Sequence, residues 1–153
     1  MTVSSGLGRN AALATTALYA LGTGAITALS AAQIAGLAPG QLQALTAPQV
    51  KNLSTGQLAQ LTETQIKGFD ANDIAAFTAT QIDALSTTQI AALTPAQMSG
   101  LSTTQLGAIN AAHFAVLSAA DLNALSTTQV RAIAAGNVAA LTTTQVEIGR
   151  AHV

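Results

Sequence analysis

The stretch LSTTQIAALTPAQM, Leu85 to Met98, states nearly one phrase twice: LSTTQIAA, then LTPAQM. The period is eight residues. In a straight helix of 3.6 residues per turn, each repeat would rotate by about 80° relative to the last. The leucines would then wander around the whole surface, so the period encodes something other than one long helix.

With Leu as position 1, the frame runs without insertion or deletion from Leu29 to Val146. Position 1 is apolar throughout, as at Leu37, Leu61, Phe69, Phe77, Leu93, Ile109 and Leu125. Position 6 is apolar throughout, as at Ile34, Leu58, Ile74, Met98, Phe114 and Val130. Two degenerate units, at Leu13 and Leu21, extend the frame toward the N-terminus.

Position 2 identifies the element. It is Ser or Thr in most units, Asp70 and Asn110 in two, and Ala only at Ala38 and Ala134. These polar types share a side-chain oxygen able to accept from the free N–H groups of a helix's first turn. A strand would disfavour Asp and Asn there. Position 5, three residues on, is Gln in eleven of fifteen units, with Asp73, His113, Asp121 and Asn137 in the others. Ser/Thr-x-x-Gln is a capping box, and the flanking apolar pair at positions 1 and 6 is a hydrophobic staple. Pro39 and Pro95 fall at the first helical position and Pro48 at the second, where a missing N–H costs nothing.

Each octad therefore begins a helix, and the next cap stops it after about six residues. So short a helix is unstable alone, because nucleation is costly. The units must stack and bury positions 1 and 6 together, which is the logic of a solenoid. The expected fold is all-α, an α-solenoid of very short capped helices, one per octapeptide. The alternative is a β-solenoid with Thr-rich faces. Gly36, Gly68, Gly100, Ala76, Ala84 and Ala92 at position 8 predict close helix crossings, and Lys51, Lys67, Asp83, Asn123 and Arg131 at position 7 predict a solvated edge. LSTTQ at Leu85 and Leu125, and the units at Phe69 and Ile109, recur at forty residues. Five octads are then one structural turn, one duplication or coincidence.

Domain organisation follows. Residues 1–12 form an irregular N-terminal segment, 13–146 the octapeptide solenoid (regular from 29), and 147–153 a tail. The frame breaks at Gly149, and the last seven residues, EIGRAHV, resemble the conceptual translation of a common sequencing adapter. The tail is accordingly expected to be non-native, the repeat array to continue past Val146 in a longer protein, and Arg150 and His152 to carry no function.

Composition narrows function. Charged residues are 7% of the chain, against roughly 25% in an average soluble domain. The five basic residues are scattered, so there is no footprint for nucleic acid, which requires clustered cations. Residues 10–50 carry no charge, but Gln, Thr, Ser and Gly punctuate them. No membrane-spanning segment is expected, since the repeat already runs through most of that uncharged stretch, and a targeting role for residues 1–29, where only Arg9 precedes the apolar part, is the lesser reading. Cysteine is absent, which excludes disulfides and thiolate metal sites.

The candidate chemistry is sparse. His113 has no obvious partner and reads as a polar capping substitute. Asp70 and Asp73 suit the N-cap and N3 positions of one helix, where a carboxylate meets the helix dipole. Phe69, Phe77 and Phe114 occupy core positions, and Tyr19 stands apart. Phosphate loops, HExxH, GxSxG and calcium nonapeptides are absent. No catalytic, cofactor-binding or metal residue is assigned, no cofactor is expected, and an enzyme is the least favoured reading.

The octad L-[ST]-x-x-Q-[ILV]-x-A resembles repeats of very long bacterial surface proteins of the adhesin, haem-utilisation or RTX-like kind. That resemblance, over Leu29 to Val146, implies a secreted or cell-surface spacer or stalk with no catalysis of its own. The alternatives are a helical-solenoid module that grips a protein or peptide, and a cytoplasmic location. The low-charge Thr/Ala surface at positions 3 and 4 suits a protein partner or lateral self-association.

Overall fold

The computed structural model describes residues 22–133, together with Leu18, Ala20 and Asn137. The expectations for residues 1–12, 147–153 and Tyr19 lie outside these residues. Among the described residues there are fourteen short helices and no strand. They are α1 (Thr23–Ala28), α2 (Ala31–Ala35), α3 (Pro39–Leu42), α4 (Ala47–Lys51), α5 (Thr55–Leu58), α6 (Glu63–Gly68), α7 (Ala71–Ala76), α8 (Ala79–Asp83), α9 (Thr87–Ala91), α10 (Pro95–Gly100), α11 (Thr103–Ala108), α12 (Ala111–Ala115), α13 (Ala119–Asn123) and α14 (Thr127–Arg131). The fold is the expected α-solenoid, and the β alternative is excluded.

The helices run four to six residues, somewhat shorter than expected. Local bonding explains the limit. The position 6 N–H donates to the position 2 carbonyl, as from Ile90 to Ser86 at 2.9 Å. The position 1 N–H then donates to the position 6 carbonyl, as from Leu93 to Ile90 at 3.1 Å. That tight three-residue closure ends the helix. The next position 2 is extended, with Thr94 at φ −81° and ψ 157°. The direction of the chain is reset there, and a new cap begins.

Every helix packs on the third one along, from α1 on α4 through to α11 on α14. One superhelical turn is thus three octads, and the rod has three sides. The forty-residue recurrence is not the structural turn. Three resets close a circuit, so stacking partners lie 24 residues apart, whereas five octads never return a helix to its own column. The first side carries α1, α4, α7, α10 and α13. The second carries α2, α5, α8, α11 and α14, and the third α3, α6, α9 and α12.

The interior has two apolar ranks. From Ile26 to Phe114, position 6 is fully enclosed. Position 1 lies just outside it, between 1% and 4% exposed from Leu37 to Leu125. Phe69 and Phe77 meet edge to face inside this core, with ring centroids 5.3 Å apart. The position 7 residues Lys51, Lys67, Asp83, Asn123 and Arg131 are exposed. At position 8, a Cβ on Gly68 would lie 2.7 Å from the Pro39 Cβ, and one on Gly100 2.7 Å from the Ala71 oxygen. Each glycine sits where the end of one helix meets the start of the helix one turn below.

Candidate functional site

The regular feature of the interior is polar. Position 5 is buried from Gln49 to Gln129, although Gln is usually a surface residue. Burial of a primary amide is tolerated only if its hydrogen bonds are made. Here they are. In α10, the Thr94 N–H donates to Gln97 Oε1 at 2.7 Å, and the Gln97 N–H donates to Thr94 Oγ1 at 3.3 Å. The same reciprocal pair is made at Ser30, Ser54, Thr62, Thr78, Ser86, Ser102 and Ser126. At Ala38 only half survives: its N–H donates to Gln41 Oε1 at 2.7 Å, and no hydroxyl answers.

The amide nitrogen performs a second task. Gln97 Nε2 donates to the Ile66 carbonyl at 2.9 Å and the Phe69 carbonyl at 2.6 Å, 31 and 28 residues earlier. Gln57 reaches Ile26 and Leu29, Gln89 reaches Leu58 and Leu61, and Gln105 reaches Ile74 and Phe77 in the same way. Gln65, Gln81 and Gln129 each take the carbonyl 28 residues back, at 2.7 Å. The carbonyls 28 residues back follow a helix end, where intrahelical donors run out, and those 31 residues back also accept the position 1 N–H that closes the helix, as Ile66 does from Phe69 at 3.3 Å. One side chain thus caps the start of its own helix and holds the junction that leads into the helix one turn below, as Gln97 of α10 holds Phe69 between α6 and α7. The i, i+3 spacing betrayed the first role, whereas the second joins residues far apart in sequence and left no local signal.

The position 5 departures behave differently. Asp73 Oδ2 accepts from the Asp70 N–H at 2.9 Å, and Asp70 Oδ1 accepts from the Asp73 N–H at 2.8 Å. This is the cap and N3 placement expected for the pair. Burial raises the Asp73 carboxyl from 3.8 to about 6, opposed by the Asp70 N–H bond and assisted by the Asp70 charge. Asp121 Oδ2 accepts from the Ser118 N–H at 2.9 Å and from the Ser118 hydroxyl at 2.6 Å. His113 corrects the sequence reading. Asn110 Oδ1 accepts from the His113 N–H at 3.1 Å, but the imidazole returns no bond, and its buried Nδ1 has no partner.

Outside, a shallow open depression of about 490 Å³ lies between α6 and α9, lined by Thr62, Glu63, Thr64, Ser86 and Thr88 among others. It gathers hydroxyls around one carboxylate, without aromatic walls or a cation. Among the described residues, no three His, Cys, Asp or Glu side chains are grouped to hold a metal ion, and no helix is long and apolar enough to cross a membrane.

Short capped helices stacked three per turn on a shared core make this chain an α-helical repeat protein. Two segments, residues 67–103 and 114–147, match the model of the ALTTAQ repeat family. No curated protein and no solved structure matches the chain.

Proposed function

We propose that this chain is a non-catalytic spacer, a stalk segment within a larger secreted or cell-surface bacterial protein of the adhesin-like kind. The observation that carries the reading is the recurrence of the inter-turn bond. The amide-to-carbonyl link over 28 residues recurs on all three sides, at Gln97, Gln89 and Gln81. Repeats that bond identically to the next turn extend in one dimension without limit, which suits a device for setting distance. The outer positions are mainly Ser, Thr, Ala and Gly, which present little for recognition. The match to a repeat-family model supports the same reading.

The test is a length series. Residues 85–108, one full turn, are duplicated once, twice and three times in tandem, and the maximum dimension is measured by small-angle X-ray scattering. A spacer lengthens by a constant increment per insertion, at constant helicity per residue. Compact growth in all directions sinks the proposal. Protease treatment of intact cells expressing the native gene tests the surface location, where digestion without lysis is expected.

A further inference from the structure

We infer that Asp73 is a proton-gated rung, which on protonation joins α7 to the junction between α3 and α4 by the bond that glutamine makes elsewhere in the core. On the side formed by α4, α7, α10 and α13, position 5 reads Gln49, Asp73, Gln97 and Asp121. Gln97 holds its carbonyls at i−28 and i−31. The same register at Asp73 gives the carbonyls of Leu45 and Leu42. Among the described residues, no side chain donates to the Leu45 carbonyl. One oxygen of Asp73 is taken by the Asp70 N–H, and the residue is 7% exposed.

Reach is not the obstacle. Asn137, whose side chain has the length of aspartate, donates through Nδ2 to the Ile109 carbonyl, again 28 residues back. The obstacle is the missing hydrogen. An ionised carboxylate offers only acceptors, so in this register it has no hydrogen to give the Leu45 carbonyl. When Asp73 takes a proton from solvent, an O–H forms on the free oxygen and can donate to Leu45.

The surrounding charges leave this balance to burial. α4 brings only Lys51, exposed in its last turn, α10 brings no titratable group, and α7's own neighbour is Asp70. The carboxyl is pushed up to about 6 from 3.8. A raised folded-state value means that the folded chain binds the proton more tightly than the unfolded chain. The added stability is complete below about 3.8 and is lost as pH rises through about 6.

The test uses the full chain, with the Asp73 carboxyl and Leu45 carbonyl carbons followed by NMR from pH 4 to pH 8. Both are expected to titrate with one midpoint near 6. Thermal unfolding of the parent should shift upward on acidification relative to Asp73→Gln and to the length-matched Asp73→Asn, and both variants should be the more stable at pH 7. A Leu45 carbonyl that ignores the Asp73 titration overturns the inference. So does a parent-to-variant difference that is the same at every pH.

Discussion

The side-chain amide of Gln97 donates to the carbonyl of Phe69 at 2.6 Å, across 28 residues of sequence and one turn of the solenoid. The same side chain accepts from the Thr94 N–H on its own helix at 2.7 Å. Cap and cross-link are one group.

Gln97→Glu separates the two roles. The carboxylate still accepts from Thr94, but it places a buried negative charge against the carbonyls of Ile66 and Phe69. Urea denaturation at pH 7 should show a loss of about 3 kcal/mol, the scale of an uncompensated buried charge. Thr94→Ala removes only the cap and should cost about 1 kcal/mol.

Gly100→Ala should be destabilising by about 1–3 kcal/mol, because the new methyl meets the Ala71 backbone oxygen at 2.7 Å. Gly56→Ala is the control. Its Cβ would meet only the Ser54 hydroxyl, at 3.9 Å, so better helix propensity should stabilise by about 0.5–1 kcal/mol. Thermal unfolding of the two variants should shift in opposite directions.

Ile90→Ala removes a fully enclosed side chain at position 6 and should cost about 2–5 kcal/mol. Val116, 39% exposed, is a large apolar residue left outside. Val116→Ser should change stability by less than about 0.5 kcal/mol. Chemical denaturation distinguishes the pair.

Two substitutions should stabilise by completing the pattern. Ala38→Ser supplies the missing cap hydroxyl, for a gain of about 0.5–1 kcal/mol. His113→Gln replaces a buried ring nitrogen without a partner by an amide that can bond Asn110 and the Leu85 carbonyl, for a gain of about 1–2 kcal/mol. Higher denaturation midpoints at unchanged helicity are expected for both.

Much of this architecture was legible in the sequence. Ser86 and Gln89 announced a helix start because capping is a three-residue event. Leu93 and Met98 announced core positions because the staple spans five. Gly68 and Gly100 marked close crossings because only a missing side chain permits them. His113 departs from the expected cap because residue type alone does not reveal whether a position 5 side chain turns back to the cap N–H.

The sequence by itself determined where each helix begins and which apolar residues are buried, since the cap and the staple are both read within one octad. The tertiary structure alone decided that three octads close a turn, because that number follows from the angle accumulated at each extended reset and from the packing of side chains between turns. It also decided the second role of the glutamines. Burial leaves the amide N–H groups no water to bond, and the junctions between helices one turn below have carbonyls to spare.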